Sequence, residues 1–195
     1  MNTVTTVAPE AATAVTKVRP GRPAPPATLV IFGAGGDLTK RLVVPALYHL
    51  VQAGRLPEEF AVIGVDHNDR TTEQWRQSLT MMMQAPPGTD AQAWSWLTQR
   101  IHYMRGDFTQ PETFTDLKRL LAEQQEHNNT GNVLFHLAVS DRFFGPVIEQ
   151  LGHIGLTQQS KQAWRRVIIE KPFGHDLASA EALNTQILSV RPEGC

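Results

Sequence analysis

From residue 28 onward, short apolar runs alternate with longer stretches whose apolar residues recur every three or four positions. The runs at 29–32 (LVIF), 61–65 (AVIGV), 101–104 (IHYM), 133–139 (VLFHLAV) and 166–170 (RVIIE) have the length and content of strands. They are near-continuous rather than alternating, as strands are when both faces of their sheet are covered. Helical spacing predicts helices over 38–53, 71–84, 91–99, 112–125, 144–151 and 178–188. In the first, Leu42, Val43, Ala46, Leu47 and Leu50 share a stripe and Gly54 is a stop. Pro45 interrupts that stripe, which predicts a kink or a shifted start. Phe114, Leu117, Leu120 and Leu121 form the stripe of the fourth helix. Pro86-Pro87-Gly88 and residues 128–132 (NNTGN) are turns. Strand and helix alternate throughout, so the expected fold class is α/β, a doubly wound parallel sheet.

With 195 residues, 41% of them hydrophobic, the chain can bury one core of ordinary size. Residues 28–195 are expected to form that domain. Residues 1–27 are rich in Ala, Thr, Val and Pro, lack a helical period and lack the apolar core of a secretory signal. They are expected to be a disordered tail. A net charge of −1 gives no electrostatic reason to expect nucleic acid or an anionic membrane as partner. No apolar run approaches the ~18–20 residues of a membrane-spanning helix. The single cysteine, Cys195, excludes a disulfide framework within the chain and a cysteine-rich zinc site, and the expected location is cytoplasmic. Met81, Met82 and Met83 are read as core or helix-end packing rather than metal ligands.

Three stretches carry candidate chemistry. The first is IFGAGGDLTKR at 31–41: a strand, a glycine turn and a helix at the start of the sheet, the order of a Rossmann-type dinucleotide-binding unit. Glycine lets the backbone approach a pyrophosphate, and the helix start presents N–H donors. Gly33, Gly35 and Gly36 are present, but the third glycine of the usual G-x-G-x-x-G spacing falls on Leu38. Lys40 and Arg41 sit where a helix prefers acids, which points to an anion nearby. The second stretch is Asp66-His67-Asn68-Asp69-Arg70, after the second strand. An acid there accepts from the ribose 2′-hydroxyl of NAD, whereas a base accommodates the 2′-phosphate of NADP. Asp66 suits the first, His67 and Arg70 the second, and the choice stays open. The third is EKPFG at 170–174, which leaves a strand at the sheet's carboxyl edge and carries Lys171 toward the cleft.

Together these stretches resemble the coenzyme domain of the glucose-6-phosphate dehydrogenase family. The family's G-A-S-G-D-L-A-K-R followed by Pro-Ala-Leu-Tyr stands here as GAGGDLTKR and PALYHL, and E-K-P-F-G is intact. The resemblance implies an oxidoreductase of glucose metabolism and the pentose phosphate pathway. Its members oxidise glucose 6-phosphate to 6-phosphogluconolactone and pass the hydride to NADP or NAD. It also implies cofactor contacts at Gly33, Ala34, Gly36, Asp37, Leu38, His67, His136 and Lys171, with Lys171 also touching substrate; the reading of the residues above adds Gly35, Lys40, Asp66 and Arg70. No metal is implied. Asp66-His67 replaces the Ala-Arg pair of NADP-preferring members, which makes dual or NAD use an expectation. His136 replaces a Tyr, Ser140-Asp141 replaces Pro-Pro, and Leu42 stands at a position often basic.

The family's general base lies in a segment like R-I-D-H-Y-L-G-K-E, and its sugar-binding, oligomer-forming domain follows. The sequence reads as stopping short of both, at QILSVRPEGC. No catalytic residue is therefore assigned; His175, beside Gly174, is read as a loop or cap residue. The isolated chain is expected to bind a dinucleotide and to be essentially inactive. The rival readings are a different sugar dehydrogenase with Glu-Lys-Pro after a strand, and a non-catalytic cofactor-binding module or gene remnant.

Overall fold

The computed structural model describes residues 22–84, 88–128 and 131–170, together with residues 181 and 185. Its strands are β1 (Ala27–Phe32), β2 (Phe60–Asp66), β3 (Ile101–Arg105), β4 (Val133–Leu137) and β5 (Arg165–Ile169). All pair in parallel, in the order β3-β2-β1-β4-β5. The helices are α1 (Val44–Gln52), α2 (Thr72–Gln84), α3 (Ala91–Gln99), α4 (Pro111–Asn128) and α5 (Phe144–His153).

Side chains alternate across a strand, so each apolar run feeds two cores. Leu29, Ile31, Phe60, Val62, Ile101 and Tyr103 pack with α1, α2 and α3 through Leu47, Trp75, Leu79 and Leu97. Val30, Phe32, Ile63, Val65, Phe135 and Leu137 pack on the other face with α4 and α5 through Phe114, Leu117, Val147 and Leu151. Every residue of β1 and β2 is buried. The doubly wound parallel α/β sheet expected from the sequence is the fold observed.

Several boundaries differ from expectation. β1 begins at Ala27, because Thr28 already pairs with Ala61 and Val133 on its two sides. Just before it, Pro26 O accepts from Asn132 Nδ2 and Ala24 N–H donates to Arg55 O. β4 stops at Leu137, where Ala138 turns in toward the glycine loop. β5 is not covered on both faces by described residues: Arg166 and Ile168 are exposed. The first helix is split. A π turn, Thr39–Val43, precedes α1, with Val44 N–H donating to Thr39 O. Pro45 has no N–H, and its ring would collide with the carbonyl four residues back in a regular helix; the wider turn relieves both. Met82 and Met83 pack on the core as expected, while Met81 is exposed. The helix predicted over 178–188 and residues 1–21, 85–87 and 129–130 lie outside the described residues. No helix among the described residues is long and apolar enough to cross a membrane.

Candidate functional site

The strand order reverses direction between β1 and β4, and in open α/β sheets the ligand crevice opens there, beyond the carboxyl ends of the strands. The glycine turn fills this position. Gly33 has φ +89°, and a Cβ on it would fall under 3.0 Å from the Ala138 carbonyl oxygen. Only glycine meets both demands without strain. Gly33 and Ala34 N–H groups donate to Val65 O (2.9 and 3.2 Å), and Gly36 N–H returns to Gly33 O (3.0 Å). Buried Thr39 closes the loop, its hydroxyl donating to Gly33 O at 2.8 Å. Lys40 N–H donates to Gly36 O, so Gly36 opens the helix. The first-turn N–H groups of Asp37, Leu38 and Thr39 then have no carbonyl four residues back within that helix. They are donors suited to a pyrophosphate.

The loop after β2 is tied to this turn. Asp66 is 4% exposed. Its Oδ2 accepts from Gly35 N–H at 2.7 Å. Its Oδ1 accepts from Asn68 N–H at 3.2 Å and Asn68 Nδ2 at 2.5 Å, and His67 Nδ1 stands 3.2 Å from the same oxygen. His67 is otherwise exposed and Arg70 is half-buried. Arg105, at the end of β3, lies 3.4 Å from Asp69. Asp107 follows, held below the usual carboxylate range by the Thr109 backbone N–H and then by its hydroxyl. The Tyr103 hydroxyl donates to Asn68 O at 2.7 Å. Burial, and then the Asp66 charge, push that phenol up to about 12.

Of the two bases after the turn, Arg41 has a local partner. Its Nη1 lies 3.3 Å from Asp37 Oδ2, one helical turn earlier. The anion that its position called for is supplied, at least in part, by the chain. Lys40 lines a cavity of about 470 Å³ with Pro45, Tyr48, His49, Met82 and Thr89; Asp66, His67, Arg70 and His136 do not contribute to it. Buried His136 lies on β4 opposite Ile31 of β1, and its Nε2 is 2.8 Å from Glu170 Oε1, just past β5. The structure thus groups Gly33–Leu38 with Asp66 and His67 and sets Lys40 toward a separate cavity. Lys171 and His175 lie outside the described residues. Among the described residues no cluster of His, Cys, Asp or Glu is arranged to hold a metal.

Sequence reasoning missed the supporting roles of four residues, Trp75, Gly64, Asn68 and Tyr103. Trp75, fully buried on α2, donates its indole N–H to Ala34 O at 3.2 Å. Gly64 on β2 makes room for it: a Cβ there would strike the Trp75 ring and lie 2.7 Å from Ala34 Cβ. Asn68 and Tyr103 hold the β2 loop, as described. A tryptophan on a helical stripe reads as core, so nothing local marks its N–H as a brace for the glycine turn.

Comparison with known proteins gives the same reading. The family model described as "Glucose-6-phosphate dehydrogenase, NAD binding domain" matches residues 30–194. A glucose-6-phosphate 1-dehydrogenase of Chlamydia pneumoniae is 39% identical over 165 residues, 82% of this chain and 32% of that protein. The Bacillus subtilis (strain 168) enzyme of that name is 37% identical over 164 residues, 84% of this chain and 32% of that protein. A solved structure of a glucose-6-phosphate dehydrogenase in complex with its substrate glucose-6-phosphate superimposes with a TM-score of 0.77 at 28% identity, covering 89% of this chain and 36% of that one. A second, from Mycobacterium avium, gives 0.73 at 32% identity, covering 87% of this chain and 35% of that one. The chain spans about one third of the length of these relatives. It belongs to the glucose-6-phosphate dehydrogenase family, and the part of the family it represents is the NAD-binding domain.

Proposed function

We propose that this chain is the coenzyme-binding unit of a glucose-6-phosphate dehydrogenase and binds NAD or NADP across the carboxyl edge of β1, β2 and β4. One observation carries the reading: the glycine turn at the β1/β4 switch point, where Gly33 packs against Ala138 O and a helix opens at Gly36, leaving the first-turn N–H groups of Asp37 and Leu38 without a helical acceptor. The pyrophosphate is held by these N–H groups with help from the helix dipole. The adenosine ribose lies toward Asp66 and His67. The nicotinamide lies on the other side of the turn, toward His136 on β4.

When bound, the dinucleotide accepts a hydride. The chain's own residues bind it, orient it and exclude water from it. In the family's reaction the donor is C1 of glucose 6-phosphate, and no described residue of this chain is assigned as the base that takes the hydroxyl proton. A positioned base contributes ~10²–10⁴-fold to such a step.

The test is the thermal stability of the 195-residue chain with NAD, with NADP and without either. A ligand that binds the folded state raises the melting temperature in a concentration-dependent way. A cooperative transition that rises with either dinucleotide supports the reading. An unshifted transition at millimolar concentrations of both contradicts it.

A further inference from the structure

Resting on the dinucleotide reading, we infer that Asp66, locked in place by Gly35 and Asn68, makes this site select a ribose 2′-hydroxyl over a 2′-phosphate, so that the chain prefers NAD to NADP.

The inference follows from the accounting of the carboxylate. An ionised carboxylate only accepts, at about four lone-pair positions. Oδ1 is filled by the two Asn68 donors and faced by His67 Nδ1. Among the described residues Oδ2 has a single donor, the Gly35 N–H at 2.7 Å. One acceptor position is left on Oδ2, at the junction of the glycine turn and the β2 loop. A ribose hydroxyl carries a proton to donate there. A 2′-phosphate ionised at neutral pH brings acceptor oxygens and negative charge to an oxygen that can only accept.

The carboxylate cannot step aside. Its side chain is 6% exposed, and the loop that carries it is pinned from β3 by Tyr103 Oη on Asn68 O. Swinging it away would cost the Gly35 and Asn68 bonds together and leave a backbone N–H of the turn unpaired. Asp69 and Asp107 add two carboxylates against the guanidiniums of Arg70 and Arg105, and Arg105 is already engaged by Asp69. His67, a further base, stands against Asp66 itself. Asn68 is a positioning residue here: its backbone and side chain both fix the carboxylate, and its amide packs beside Gly35.

The experiment measures dissociation constants of NAD and NADP for the 195-residue chain at neutral pH by isothermal titration calorimetry. The parent is expected to bind NAD more tightly, on the order of tenfold or more, which is the scale of one charge-assisted hydrogen bond. Asp66→Asn keeps an oxygen for the Gly35 N–H and removes the charge, and is expected to shift the NAD-to-NADP ratio toward NADP by on the order of tenfold. Asn68→Ala is expected to lower the ratio while both dinucleotides still bind, a change that general loosening of the fold would not produce. The parent ratio needs no variant to fold. If the parent binds NADP as tightly as NAD or more tightly, the inference is overturned while the dinucleotide reading stands. If it binds neither, both fall.

Discussion

The backbone N–H of Gly35 donates to Asp66 Oδ2 at 2.7 Å, across 31 residues of sequence. This bond joins the loop that would face the pyrophosphate to the loop that would face the adenosine ribose. The pyrophosphate and adenosine-ribose parts of a dinucleotide's binding strip are therefore joined in one hydrogen-bonded unit. Trp75 below and Tyr103 beside it hold that unit against the sheet.

Gly33 is the residue least able to change. Its φ of +89° disfavours any side chain, and Ala138 O occupies the space a Cβ would need. Gly33→Ala is expected to cost about 2–4 kcal/mol through backbone strain and overpacking. Urea unfolding measures this, and the same variant is expected to lose dinucleotide binding. Parent-like stability and affinity would contradict the tight approach of the two loops.

Gly64 and Trp75 are coupled. Gly64→Ala pushes a methyl group into the Trp75 ring and Ala34, an overpacking of about 1–3 kcal/mol. Trp75→Phe removes the ring atoms in the way, together with the bond to Ala34 O. The double variant is expected to be less destabilised than the sum of the singles, with a coupling of about 1 kcal/mol. Additive losses would mean that the two positions do not meet.

The Tyr103 phenol is pushed up to about 12 from its usual 10.0. Between those values the unfolded chain has lost the proton and the folded chain keeps it. Stability from this group is full below pH 10 and is lost as pH rises toward 12. Tyr103→Phe removes the bond to Asn68 O, costing about 1 kcal/mol at neutral pH, and is expected to flatten this alkaline loss. Chemical unfolding at a series of pH values compares the two.

His102, on β3, is shifted the other way. Burial, followed by the charge of Arg76, holds its imidazole below the usual 6.5. The unfolded chain then takes up a proton at a pH where the folded chain resists it. The contribution is present above pH 6.5 and lost as pH falls toward the folded value. His102→Gln is expected to remove this part of the acid sensitivity. An unchanged pH profile between 5 and 7 would contradict it.

Much of this architecture is legible in the residues. The apolar runs LVIF and AVIGV mark strands buried on both faces, and β1 and β2 are wholly buried. Pro45 marks a fault in the first helix, and a π turn stands there. Asp66 can be assigned to the end of β2 from its place in the pattern. Its capture by Gly35 cannot, because that bond depends on how two loops meet in three dimensions. The same holds for the Trp75 indole and Ala34 O, 41 residues apart. Arg41 looked as though it awaited an external anion, yet the i, i+4 spacing to Asp37 already contained its partner. RVIIE looked buried on both faces; Arg166 and Ile168 are exposed, because periodicity in one strand does not say what covers its neighbours.

The most direct measurement is a backbone amide NMR map of the 195-residue chain titrated with NAD. Binding at the glycine turn is expected to move the amides of Gly35, Gly36, Asp37 and Leu38 together with Asp66 and Asn68, leaving α3 and the far ends of the strands in place. Shifts confined to other surfaces, or no shifts at saturating NAD, would contradict the assignment of this turn as the coenzyme site.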